Sequence, residues 1–428
     1  MKFYIYTLGC KVNTYESNVM SDLLVNAGFI KTDDIADIYV INTCSVTNTA
    51  DSKSLKLIRQ AVRKNNQAII VVTGCLSQTQ AERVLEIPEV SIVLGNKNKS
   101  KIVDYINQYL NNQKKIIDIA DLSKVDFECM QLNNFDRTRA FVKIEDGCEN
   151  FCSYCIIPYT RGRVRSKLKE DVITEVETLV KNGHEEIVLT GIHTGNYGYD
   201  LNYDFADLLN ELIKIKGLKR LRISSIEITE LNERVLDVLN KSDILVYHLH
   251  IPLQSGSDTI LKLMNRKYDI NYFINKVNEI RKIRPNISLT TDVIVGFPSE
   301  TDELFDETIE TIKKINFSKI HVFPYSRRKG TKADLMENQV DEITKKERVK
   351  ELLKLSKQLE IGYMEKFVGQ EIEFIPEIEK NGYVIGHTGN YLLIKLKNDN
   401  YDLHKSMRVR ICQVDYPYVI GQSVDITA

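Results

Sequence analysis

The sequence predicts an α/β protein: an N-terminal doubly wound parallel α/β domain, a central partial (β/α)6 barrel and a small C-terminal OB-like β-barrel. Three observations lead there. Short apolar, β-branched runs alternate with stretches of helical period over residues 1–115, and the same alternation resumes over 138–366. Beyond residue 367 the helical periods stop, and short runs separated by Gly- and Asn-rich turns take over. At 428 residues the chain is long for one domain. The expected divisions are an N-terminal domain at 1–115, a linker at 116–137, a core at 138–366 and a terminal module at 367–428.

In the first block, FYIYT precedes Leu8-Gly9-Cys10, DIYVIN precedes Thr43-Cys44, and AIIVV precedes Thr73-Gly74-Cys75. Each apolar run reads as a buried strand. Between the first two, Asn13 followed three residues later by Glu16 reads as a helix start, and Gly28 as its stop. KSLKLIRQAVRKN supplies the next helix. Ligands on such sheets gather beyond the carboxyl ends of the strands, where all three cysteines would emerge. Lone cysteines are usually ordinary small buried residues. Three at three strand ends instead imply a three-thiolate iron-sulfur cluster with one iron left open. Cys129 and Cys412 lack such placement and read as structural.

Residues 116–137 are polar and weakly periodic apart from IIDIADL, which suits a connection. The core strands are expected at Phe141 to Ile144, Glu186 to Gly191, Arg220 to Ile226, Val246 to Leu253, Ser288 to Gly296 and Lys319 to Pro324. Helical stretches such as EDVITEVETLVKNG and TDELFDETIETIKKIN separate them. The active face of the incomplete barrel should be the carboxyl ends of its strands.

Directly after the first of these strands, DGCENFCSYC sets Cys148, Cys152 and Cys155 in CxxxCxxC spacing. Three thiolates on a 4Fe-4S cluster leave one iron free to bind a substrate or cofactor. A zinc site would want a fourth ligand from a second Cys or Cys/His pair, and none lies nearby. A disulfide reading leaves one cysteine over and has no secretory leader to support it. Tyr154, just before the last cysteine, would lie beside whatever occupies the open iron. No apolar run approaches the roughly 20 residues that span a bilayer, so a cytoplasmic protein with no membrane partner is expected. The net charge of −1 gives no global argument for nucleic acid, and any RNA contact must use local patches.

The CxxxC-aromatic-xC pattern resembles the radical S-adenosylmethionine (SAM) superfamily. The resemblance implies that SAM binds the open iron and is cleaved to a 5′-deoxyadenosyl radical. With a cysteine-bearing α/β domain before it and a short β domain after it, the whole chain resembles the methylthiotransferases. TLGCKVNTYES, INTCSVTNTADSKS, TGIHTGNYG and HLHIPLQSGSDTILKLMNRKY are most similar to the branch acting on threonylcarbamoyladenosine beside the tRNA anticodon. The isopentenyladenosine branch more often reads GCQMN at the first cysteine. What this implies is a tRNA-modifying enzyme with two 4Fe-4S clusters and SAM, an electron donor and a sulfur donor. It also implies a C-terminal domain like the TRAM domain, which binds RNA.

Several barrel residues at strand ends are expected around SAM: Gly191, Ser224, Ser225, Glu227, Gln254 and Gly296. Glycines permit close backbone approach, and Glu227 and the serines suit ribose hydroxyls and the methionine ammonium. The Gly-Gly-Glu run common in the superfamily is replaced here by LTGIHTG. Arg161, Arg163 and Arg165 follow the cluster cysteines and are expected to grip a substrate phosphate or carboxylate, against the plainer reading of a solvated charged face. His193 and Tyr197 are expected to contact the base or its carbamoyl group. His248 and His250 read equally as packing or as cofactor neighbours. In the terminal module, Tyr391, Lys395, Lys397, Arg408 and Arg410 are candidate RNA contacts, although eight acidic residues stand against six Lys and Arg.

Other readings are a methylthiotransferase for isopentenyladenosine or for a ribosomal protein, and a non-catalytic iron-sulfur electron carrier. A structural RNA-binding protein with zinc sites is a further one. An electron carrier would prefer four protein ligands per cluster and has no use for a barrel of this size.

Overall fold

The structure is a computed structural model in which residues 1–424 are described. Its first sheet has six parallel strands in the order Ile30–Lys31, Lys2–Thr7, Ile38–Thr43, Ile69–Gly74, Val90–Leu94 and Ile116–Asp118. Ile38–Thr43 and Ile69–Gly74 are buried along their whole length, as central parallel strands covered on both faces must be. Tyr39, Ile41, Ile70 and Val72 pack on one face, and Ile38, Val40, Ile69 and Val71 on the other. Ile116–Asp118 falls in the stretch expected as linker, so the sheet reaches three residues further than the sequence suggested.

The first helix, Lys11–Asn26, begins with Cys10 as its N-cap. Asn13 and Glu16 therefore do not start it. They are buried inside its first turns. Gly28 ends it as expected, at φ +88°.

The central domain is an arc of six parallel strands in chain order: Arg139–Lys143, Glu186–Thr190, Arg220–Ile223, His248–His250, Ser288–Val295 and Lys319–Pro324. The two three-stranded halves meet through the Leu221/Leu245 bridge and through Ile226 N–H donating to His250 O at 3.0 Å. Among the described residues the arc is not closed by pairing of its first and last strands. Helices such as Lys169–Lys181 and Asp302–Ile315 bury their apolar stripes against it in one large core.

The C-terminal module is a closed five-stranded barrel of Glu371–Lys380, Tyr383–Thr388, Leu393–Lys397, Tyr418–Ser423 and Met407–Asp415. Four pairings are antiparallel as expected, but Leu393–Lys397 runs parallel to Tyr418–Ser423, because the chain crosses over before closing the ring. The end of the terminal module, residues 425–428, lies outside the described residues. This barrel docks at the amino ends of the core strands: Arg220 donates to Glu373 O at 2.9 Å and His387 O at 3.2 Å, and Arg139 pairs with Glu377 at 3.2 Å. Among the described residues no helix is long and apolar enough to cross a membrane.

Candidate active site

Cys148, Cys152 and Cys155 sit on one loop at the carboxyl end of the first barrel strand. Main-chain bonds fix the loop. Cys148 N–H donates to Gly162 O at 3.0 Å, Cys155 N–H to Cys152 O at 2.9 Å, and Ser153 N–H to Met264 O at 3.0 Å. Phe151 takes φ +44°, and the Asn265 side chain donates to Phe151 O at 3.0 Å, holding the bend. Burial pushes the Cys155 thiol up to about 12, with Cys152 adding to it. Burial also raises Cys152, against the nearby Arg266, whose Nη1 donates to Cys152 Sγ at 3.4 Å. A thiolate here needs a cation, and metal coordination supplies one by deprotonating the thiol outright.

Cys10, Cys44 and Cys75 emerge at the carboxyl ends of three adjacent strands, Lys2–Thr7, Ile38–Thr43 and Ile69–Gly74. Cys10 and Cys75 both raise the pKa of Cys44, which burial has already lifted to about 11. Cys10 is exposed at the strand edge, although the protein crowded around it strips enough hydration to raise its thiol too. Asn96 Nδ2 lies 3.6 Å from Cys75 Sγ and donates to Thr160 O at 2.8 Å. Gly9, at φ +99°, has no room for a side chain: a Cβ would stand 3.0 Å from Cys44 Sγ. Among the described residues no three metal-binding side chains converge on a single ion position. A cubane is ligated at separate irons, so thiols spread around a shared space suit it.

Between the two domains lies a buried charge network. Glu16 pairs with Lys99, with Lys143 at 2.8 Å and with Arg161 at 2.6 Å, and Asp146 takes Lys143 at 2.6 Å. Burial works against the Glu16 carboxylate, yet Arg161, Lys143 and Lys99 hold its pKa well below the usual range. Arg328 makes a second bridge, reaching Asp51 at 2.8 Å and Ser45 Oγ at 2.8 Å. These bonds hold the sheet's cysteine edge over the barrel. A cavity of about 570 Å³ results, with Cys10 and Lys11 on one wall and Gly191, Ser224 and Ser225 on another.

The predicted residues divide. Gly191, Ser224 and Ser225 line the cavity. A Cβ on Gly191 would stand 2.7 Å from Glu145 Oε2, so its glycine is required by packing. Glu227 pairs with Arg266, which joins it to Cys152. His193 Nδ1 is 3.7 Å from Cys148 Sγ, and its Nε2 pairs with Glu230. Burial opposes charge on this imidazole, but Cys148 and Glu230 hold its pKa up to about 11. Tyr154 packs edge-on to Phe297, their ring centres 6.4 Å apart, in a small apolar cluster with Ile260 and Met264. Gln254 bridges to Ser288–Val295 through main-chain bonds at φ +65°. Gly296 lies beneath Lys345, 2.3 Å from where its Cβ would stand, which explains the glycine without a ligand.

Other expectations are corrected. Arg161 is fully buried and engaged by Glu16, Asp146 and Asn13. Arg165 is buried and donates to Leu122 O and Arg161 O. Neither is free to grip substrate, and only Arg163 of that run is exposed. Tyr197 is buried against Tyr203 and does not line the cavity. Tyr391 turns into the core domain and lines the cavity, its ring 4.6 Å from His248 and 4.5 Å from the Arg222 guanidinium, rather than standing on the outer face of the terminal module. Arg266, Glu230, Asn96 and Lys11 were missed. Each lies far in sequence from the group it serves, or carries no motif of its own.

Residues 2–95 match the family described as uncharacterized protein family UPF0004, and residues 142–312 match the radical SAM superfamily. The chain is 46% identical to the threonylcarbamoyladenosine tRNA methylthiotransferase MtaB of Bacillus subtilis, covering 98% of this chain and 96% of that protein. MtaB of Aquifex aeolicus is 38% identical over 96% of this chain and 100% of its own length. The tRNA-2-methylthio-N(6)-dimethylallyladenosine synthase of Clostridium tetani is 37% identical over 96% of this chain and 93% of its own. Among solved structures, the radical SAM methyltransferase TsrM of Kitasatospora setae shares the fold, with a TM-score of 0.56 at 13% identity over 75% of this chain and 72% of TsrM.

Proposed function

The chain belongs to the radical SAM methylthiotransferase family, and from that membership we propose that it converts N6-threonylcarbamoyladenosine next to the tRNA anticodon to its 2-methylthio derivative. The observation that carries the reading is the shared cavity, bounded by Cys10 of one cysteine set and by barrel strand ends beside the other. Its cofactors are two 4Fe-4S clusters and SAM; Cys148, Cys152 and Cys155 would hold one cluster, and Cys10, Cys44 and Cys75 the other. When bound, these groups supply reductive SAM cleavage, a hydrogen-abstracting radical and transferable sulfur and methyl groups.

The chain's own residues orient and shield that chemistry. Arg266, fixed by Glu227, places positive charge against Cys152. His193, held by Glu230 and Asn196, does the same for Cys148. Ser224 and Ser225 offer hydroxyls on the wall of the cavity that Cys10 also lines. A purine enters this space only by leaving its stack, which an anticodon-loop base does at modest cost. The enzyme works in the cytoplasm with tRNA, an electron donor and a sulfur donor.

Nucleoside analysis of tRNA from a strain lacking the gene tests this. Loss of 2-methylthio-N6-threonylcarbamoyladenosine, with its unthiolated precursor accumulating, is expected. An unchanged level of the thiolated nucleoside would overturn the assignment.

A further inference from the structure

Among the described residues the Lys11 side chain has no hydrogen-bond or ion-pair partner. It follows Cys10 at the start of helix Lys11–Asn26, lines the same cavity, and is only half-buried. Its surroundings add positive charge. The Arg222 and Arg139 guanidiniums stand 4.5 and 5.3 Å from the ring of Tyr391, which lines the cavity with Lys11. Arg222 is 2% exposed, packs on the Tyr391 ring and hydrogen-bonds through Nε to Glu186 at 2.7 Å; its Nη1 and Nη2 are buried without hydrogen-bond partners. On the cavity wall, His248 is buried with Nδ1 equally unpartnered. The acids of that wall are already engaged, Asp292 by His250 at 3.3 Å and Glu360 by Lys319 at 2.8 Å. Cations and unpartnered donors withdrawn from water are costly unless an anion joins them, so this corner is built for one.

We propose that Lys11 is a specificity-determining residue whose ammonium pairs with the carboxylate of the threonylcarbamoyl group, with Arg222 adding positive charge behind it. The inference rests on the function proposed above and extends it. On the purine, carbon 2 and carbon 6, which carries N6, flank N1 along one edge. A carboxylate carried on N6 can therefore sit at Lys11 while carbon 2 faces the Cys10 side of the cavity. An isopentenyl group carries no charge and gains nothing from this corner. The same corner would also attract a backbone phosphate, and the substrate rather than the protein distinguishes the two.

The test uses the full-length protein with both clusters reconstituted. Anticodon hairpins carry either threonylcarbamoyladenosine or its threoninamide counterpart, in which a neutral carboxamide replaces the carboxylate. Kd is read by fluorescence anisotropy and kcat/KM by nucleoside analysis. The wild type should lose about 10- to 100-fold in both on the carboxamide, the range of a hydrogen bond to a charged group. Lys11→Gln should lose as much on the carboxylate and no longer distinguish the hairpins, whereas Lys11→Arg should keep the preference. Equal binding and turnover of the two hairpins by the wild type would overturn the role of Lys11, in favour of a phosphate contact, and leave the function standing. This result does not depend on how any variant folds. A wild type that modifies only an isopentenyladenosine hairpin would instead overturn the function and the inference with it.

Discussion

Glu145 is fully buried behind the cavity wall, with Oε2 accepting from His193 N–H at 2.7 Å and Oε1 left without a partner. Burial, reinforced by Asp146, lifts its pKa from 4.5 to about 8 against the His193 amide. The folded chain thus holds this proton more tightly than the unfolded chain does. The resulting stability is complete below about pH 4.5 and is lost as pH rises through about 8. Glu145→Gln keeps the shape without the titration. Its urea midpoint should match the wild type near the acid end of this window and exceed it by a few kcal/mol equivalents above it. Parallel pH profiles for the two proteins would contradict the assignment. The residue scale also marks where sequence patterns mislead. Cys148, Cys152 and Cys155 declare themselves by spacing, because one loop must supply all three thiols. Arg161 and Arg165 look like a surface grip, since a run of cations reads the same whether it meets water or buried carboxylates.

At the scale of elements, strand ends carry the site. The carboxyl ends of Lys2–Thr7, Ile38–Thr43 and Ile69–Gly74 deliver one thiol each because parallel strands all terminate at one edge. That edge was legible from three apolar runs each followed by a cysteine. The helix beginning at Lys11 was less so. Asn13 and Glu16 match a helix-start pattern, but the tertiary contacts of the same two residues outweigh it: Asn13 donates to Leu8 O and Thr43 O, and Glu16 joins the buried network. The approach of Gly9 to Cys44 makes a prediction at this scale. Gly9→Ala puts a methyl group 3.0 Å from Cys44 Sγ in a backbone conformation that disfavours any side chain. The thiol must move, so the reconstituted variant should hold about half the wild-type iron. SAM cleavage should persist while methylthiolation is lost. Full iron content with both activities intact would refute the steric argument.

Across the whole molecule, the cysteine edge of the first sheet is held over the barrel because Glu16, Lys99, Lys143, Arg161 and Asp146 are buried together where the two domains meet. Such a network stabilises only while every charge is matched. Glu16→Gln leaves three buried cations sharing an uncharged partner and should cost about 3–5 kcal/mol of unfolding free energy. A loss below about 1 kcal/mol in urea titration would show that the network is not what fixes the two domains. The C-terminal barrel is tied in at the opposite end, through Arg220, Arg139 and the inserted Tyr391. The sequence by itself determined the three architectures, both cysteine sets and the edge on which each emerges, since strand and helix periods and close spacings are local properties. Only the tertiary structure decided which cations are spent inside the protein. Arg161 and Lys11 are alike as charges in a sequence. Burial beside Glu16 commits the first, and among the described residues no acid pairs with the second, which leaves it open to a ligand.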